Sequence, residues 1–141
     1  MKNSFAKILV CCDSSKYSEK AIRVACELAR NYGSDLTLIH VVDKTRKSDI
    51  LAGNEFADIL RKYAKETLQR AQNIAKSEGF DAKMVTKEGN IANEIISYAK
   101  KDNTDLIVVG SKGLGAVLKF FLGSISSKIA NHSICSVLIV K

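Results

Sequence analysis

Two short, unbroken apolar runs constrain the fold of this chain most: Ile8-Leu9-Val10-Cys11-Cys12 and Leu106-Ile107-Val108-Val109. A strand with one wet face alternates apolar and polar residues. A run that is apolar at every position marks a strand covered on both faces, as at the centre of a parallel sheet between two helix layers. The segments between these runs fit that picture. Ser14-Ser15 supplies capping hydroxyls for a helix with Ala21, Ala25, Leu28, Ala29 and Tyr32 on one face, ended by Gly33. A second strand spans Leu36 to Val42 and exits at Asp43. Lys44 to Asn54, polar and containing Gly53, reads as a loop.

The long helix that follows carries Phe56, Leu60, Tyr63, Thr67, Ala71 and Ile74 on one stripe and ends at Gly79. Ala82 to Thr86 alternates, which suits a sheet edge. Asn90 caps a helix with Ile91, Ile95, Tyr98 and Ala99 inward. The fourth strand begins at Leu106, a helix covers about Ser124 to Asn131, and the last strand is Val137 to Val140. Five strands and four helices in strict alternation predict an α/β fold, a single domain over residues 1–141. Its doubly wound five-stranded parallel sheet has order 3-2-1-4-5 and helices on both faces.

That order reverses between the first and fourth strands, and ligands of such sheets bind at the strands' carboxyl ends where the order reverses. Asp13 and Gly110 then face one crevice, bordered by the backbone of Val41 and Val42. That backbone is placed to read an adenine edge, and Asp13 to accept from a ribose hydroxyl or, alternatively, to cap the first helix. Beyond Gly110 come Gly113, Gly115 and, after an apolar segment, Gly123-Ser124. Glycine permits positive φ and a ligand's close approach, and a helix N-terminus at Ser124 offers free N–H groups to an anion. A phosphate cradle would use Gly110, Ser111, Lys112, Gly113, Gly123, Ser124 and Ile125. The bland alternative is a glycine-rich connection serving packing only. A P-loop is excluded because Ala116 stands where its lysine belongs, and a dinucleotide fingerprint because Leu118 replaces the third glycine.

The spacing Gly110-x2-Gly113-x9-Gly123-Ser124 resembles the nucleotide-binding signature of the universal stress protein family. The resemblance extends from Lys7-Ile8-Leu9-Val10-Cys11-Cys12-Asp13-Ser14-Ser15 through His40-Val41-Val42-Asp43 to Cys135-Ser136-Val137-Leu138-Ile139-Val140. The chain departs from the family where Cys11 stands for a proline and Cys135-Ser136 for a Cys-Pro pair; neither change removes a ligand side chain. The resemblance implies a Rossmann-like, adenine nucleotide alpha hydrolase-like fold and a small regulatory protein binding ATP with Mg or Mn. It also implies nucleotide contacts at the positions of Asp13 and Val41, and a homodimer through the strand Val137 to Val140. That short apolar strand would otherwise leave an open hydrophobic sheet edge.

Composition narrows the function classes. The formal charge is +7, but the lysines are spread over nearly every helix without an aromatic-interleaved basic block, so a solvated surface is favoured over nucleic-acid binding. No stretch approaches a membrane span and no signal-like segment opens the chain, so a cytoplasmic location is expected. The four cysteines lack metal-ligand spacing and read as reduced thiols. His40, inside an apolar strand, reads as a hydrogen-bonded core histidine, and Phe120, Phe121 and Leu122 as packing that anchors the loop. No catalytic set is assigned: Asp13 is the one carboxylate placed in the crevice, which is compatible with slow ATP hydrolysis at most. A nucleotide-dependent switch is the favoured function, with a weak ATPase and a dimeric scaffold without nucleotide as alternatives. A receiver domain would need paired acids after the first strand, and a flavodoxin a phosphate loop there.

Overall fold

The computed structural model describes residues 4–45, 53–113 and 122–141. Five strands, β1 (Lys7–Cys11), β2 (Asp35–Asp43), β3 (Lys83–Gly89), β4 (Leu106–Gly110) and β5 (Ser136–Val140), form one parallel sheet in the order β3-β2-β1-β4-β5. The four described helices are α1 (Lys16–Tyr32), α2 (Asn54–Ser77), α3 (Ile91–Lys101) and α4 (Ser124–His132).

Successive strand residues point to opposite faces, and each face has its own core. Ile8, Val10, Leu36, Leu38, Leu106 and Val108 pack against α1 and α2. Leu9, Cys11, Ile39, Val41, Ile107 and Val109 pack against α3 and α4. Leu9, Val10, Ile107 and Val108 are fully buried, which is why the runs Ile8–Cys12 and Leu106–Val109 are apolar at every position. Truncating Ile107 to alanine would cost about 3 kcal/mol. β3 lies at one edge, largely exposed, as its alternation predicts.

The helix ends follow their chemistry. Ser15 caps α1, its Oγ accepting from Ser18 N–H, and Asn90 caps α3 the same way through Asn93 N–H. Gly33, at φ +66°, closes α1, and Gly79, at φ +91°, sits just past the end of α2 while Phe80 N–H donates to the Ala75 carbonyl.

Several inward faces differ from expectation. On α1 the buried residues are Ser18, Ala21, Ile22, Ala25, Cys26 and Ala29. Tyr32 is exposed and makes an edge contact with Phe5. On α2 they are Ala64, Thr67, Leu68, Ala71, Gln72 and Ala75: Thr67 and Ala71 lie inward as expected, while the stripe is rotated off Phe56, Leu60 and Tyr63. Gln72 is buried because its side-chain amide bonds the backbone of Ala82 and the carboxylate of Asp81. The loop expected over Lys44 to Asn54 ends at Gly53; residues 46–52 lie outside the described residues.

Candidate functional site

The three inner strands part at their carboxyl ends. β1 pairs with β4 as far as Val10 with Val108, and with β2 as far as Cys11 with Ile39, while β4 continues to Gly110 and β2 to Asp43. Cys12 N–H makes the last link to β2, donating to the Ile39 carbonyl at 2.9 Å. The chain then turns away into α1 and leaves a gap. Asp13 stands on its β1 side, the Gly110–Gly113 segment on its β4 side, and Val41 along β2. The Val41 side chain is buried in the core, so only its backbone can serve a ligand.

Asp13 is held by a dense local network. Its Oδ1 accepts from Ser15 N–H at 2.9 Å, and its own N–H donates to Ser18 Oγ, which in turn donates to the Cys11 carbonyl. The α1 cap is Ser15, so Asp13 braces the turn rather than capping the helix itself, and its second oxygen is left toward the gap. There it meets Gly113: a Cβ on Gly113 would lie 2.9 Å from Asp13 Oδ2.

Close approach explains the other glycines too. A Cβ on Gly110 would lie 2.8 Å from Tyr17 Cβ and 2.9 Å from the Tyr17 carbonyl carbon, so this glycine lets α1 sit against the end of β4. At Gly123 it would lie 3.3 Å from the Ser111 carbonyl oxygen. None of the three takes a positive φ, so nearness and not left-handed backbone is what requires them.

Ser111 ties the two ends of this connection together. It is buried; its N–H donates to the Val140 carbonyl, and its own carbonyl accepts from Gly123 N–H at 2.7 Å and from Ser126 Oγ at 3.0 Å. α4 therefore begins beside the exit of β4. Its first intrahelical bond runs from Ser127 N–H to the Gly123 carbonyl, so the N–H groups of Ser124 and Ile125 have no acceptor within the helix. No acidic side chain occupies that first turn. The gap thus joins a carboxylate, the backbone at Lys112, itself half-buried, and a positive helix end. Gly115, Lys119, Phe120 and Phe121 lie outside the described residues. Leu122 is 41% exposed and does not act as a buried anchor.

Sequence reasoning missed the roles of Ser126, Tyr63 and Thr67, and read His40 only as a hydrogen-bonded core histidine. Ser126 locks the connection through Ser111, a role that its place three residues after Gly123 could have signalled. Tyr63, Thr67 and His40 hold the turn after β1. Tyr63 OH donates to the Asp13 carbonyl, and the Thr67 and Ser14 hydroxyls bond each other. His40 is buried as expected, its Nδ1–H donating to the Cys12 carbonyl at 2.7 Å. The cysteines are free thiols. Burial pushes Cys11 and Cys12 well up, reinforced at both by the Asp13 carboxylate, so neither is a nucleophile at neutral pH. Among the described residues no cluster of three or more His, Cys, Asp or Glu side chains is arranged to hold a metal ion, and no helix is long and apolar enough to cross a membrane.

Comparison with known proteins places this geometry in context. The sequence model of the universal stress protein family matches residues 4–141. Universal stress protein YxiE of Bacillus subtilis is 33% identical, the match covering 97% of this chain and 99% of the relative. The structure of universal stress protein UspA from Lactobacillus plantarum superposes with a TM-score of 0.85 at 26% identity, covering 97% of this chain and 98% of that one. More distant structures speak for the fold alone. One, from Archaeoglobus fulgidus in complex with dAMP, is 24% identical with TM-score 0.67, covering 97% of this chain and 98% of the other. Another, from Arabidopsis thaliana with AMP bound, is 22% identical with TM-score 0.71, covering 96% and 91%.

Proposed function

Because the chain belongs to the universal stress protein family, we propose that it is an adenine-nucleotide-binding regulatory protein in which ATP, carried with Mg or Mn, occupies the gap between β1 and β4. The observation that carries this reading is the approach of Asp13 Oδ2 to within 2.9 Å of where a Gly113 side chain would stand, at the point where the strand order reverses. Relatives of the same fold hold dAMP and AMP, which supports an adenine nucleotide as the ligand class.

In this reading the Val41 backbone meets the adenine edge and Asp13 accepts from the ribose. The phosphates lie on the backbone of Gly110, Ser111, Lys112 and Gly113 and on the α4 N-terminus at Gly123, Ser124 and Ile125, with the Lys112 ammonium adding charge. The divalent ion would neutralise phosphate charge. By bridging the exit of β4 and the start of α4, the nucleotide changes a surface that partner proteins read, which is the switch. The chain acts as one domain, a cytoplasmic homodimer through β5.

Denaturing freshly purified protein and separating the released small molecules by chromatography tests this. An adenine nucleotide is expected, and is lost in Gly113→Val and Gly123→Val variants that still fold. Nucleotide released equally by those variants would place it elsewhere on the molecule.

A further inference from the structure

Cys12, Asp13 and Ser14, consecutive at the exit of β1, are each held by a side chain from farther along the chain. His40 Nδ1–H donates to the Cys12 carbonyl at 2.7 Å, Tyr63 OH to the Asp13 carbonyl at 3.3 Å, and the Ser14 and Thr67 hydroxyls bond at 3.0 Å. Tyr63 and Thr67 stand four residues apart on α2, one helical turn, and so reach the same side. The His40 and Tyr63 rings meet nearly edge to face, centroids 5.9 Å apart, which seats the tyrosine against a buried neighbour. Thr67 is itself buried, at 3% exposure. Its hydroxyl is spent on Ser14, a residue at φ +69° where a non-glycine rarely sits.

The turn so held decides where the Asp13 carboxylate points. With Oδ1 fixed on Ser15 N–H, the carboxylate follows its own backbone, and that backbone answers to Tyr63 and Thr67. Resting on the reading of Asp13 as the ribose acceptor, we infer that Tyr63 and Thr67 are positioning residues for Asp13, so that α2 sets the ribose selectivity of the site through the β1–α1 turn. The arrangement separates recognition from support: the carboxylate faces the gap, and the groups that aim it stand behind the turn.

Calorimetric titration of the intact chain with ATP and with 2′,3′-dideoxy-ATP reads this directly. Wild type should prefer ATP. In Thr67→Val and in Tyr63→Phe the ATP affinity should fall about fivefold, the size of one lost hydrogen bond, while the dideoxy nucleotide binds as before. Thr67→Ser, which returns the hydroxyl, should restore the preference. If Thr67→Val does not fold, Ser14→Ala removes the same bond from the turn side and carries the same expectation. An ATP-to-dideoxy ratio unchanged in the variants, or a parallel loss of both nucleotides, would overturn the inference and leave the nucleotide site standing. Wild type that binds both nucleotides equally would remove the ribose role of Asp13 and the inference with it. Wild type that binds neither would remove the site itself.

Discussion

Asp13 and Gly113 face each other across the gap between β1 and β4, so closely that a methyl group on Gly113 would stand 2.9 Å from the Asp13 carboxylate. Gly113 does not sit in the left-handed region, so alanine meets no backbone penalty there. What yields is the carboxylate, which can clear the methyl only by giving up its bond from Ser15 N–H and with it its aim into the gap. Gly113→Ala should therefore weaken ATP binding by about tenfold or more, a loss of about 1.4 kcal/mol. The melting temperature should stay within about 3 °C of wild type. Calorimetry and a thermal melt on the same preparation check both.

Gly110 answers to a different neighbour. A Cβ there meets Tyr17 Cβ at 2.8 Å, the Tyr17 carbonyl carbon at 2.9 Å and Ser18 N at 3.1 Å, all in the first turn of α1. Two of those atoms are backbone and cannot swing away. Gly110→Ala should cost about 1–3 kcal/mol of stability, seen as a lower urea midpoint with an unchanged slope.

The contrast between these glycines shows what a sequence conceals. The sheet order was legible because Ile8–Cys12 and Leu106–Val109 are apolar at every position, and only the centre of a covered sheet asks for that. The edge position of β3 was legible from its alternation, but not its extent. Lys87, Glu88 and Gly89 have no strand character of their own and are strand because they pair with Val41, Val42 and Asp43. The α2 face was only partly legible: Thr67 and Ala71 are buried as read, but Ala64, Gln72 and Ala75 do not look like a core until their partners are known. Gly110, Gly113 and Gly123 were legible as a cluster, yet which abuts a helix, which a carboxylate and which a carbonyl depends on residues far away in sequence. Tyr63 and Thr67 read only as helix stripe, since the turn they grip lies about 50 residues earlier.

The buried thiols predict alkaline sensitivity. Burial pushes Cys26 up from 9.0 to about 11, with Glu78 adding to it, and raises Cys11 and Cys12 further. The folded chain keeps these protons to higher pH than the unfolded chain does. The thiol contribution is therefore fully present below pH 9 and is lost as pH rises through the folded values, by up to about 1.4 kcal/mol per pH unit for each thiol. Urea midpoints at about pH 8 and about pH 10.5 should show this fall, and Cys26→Ala should show a smaller one.

β5 predicts the assembly. It forms the sheet edge beside β4, and Val137, Leu138 and Ile139 are only half-buried, with Ile134 just ahead of them 74% exposed. Sedimentation velocity at micromolar concentration should show a dimer. Ile134→Asp should shift it toward monomer while the chain stays folded, because that side chain is largely exposed in the single chain, and any fall in melting temperature should track the loss of the dimer.

The most direct test is calorimetric titration of nucleotide-free protein with ATP, AMP and GTP in the presence of magnesium. Saturable ATP binding is expected, with GTP weaker by about tenfold or more if, as proposed, the backbone at Val41 reads an adenine edge. Folded protein that takes up neither ATP nor AMP would contradict the nucleotide site between β1 and β4 and leave the dimeric scaffold in its place.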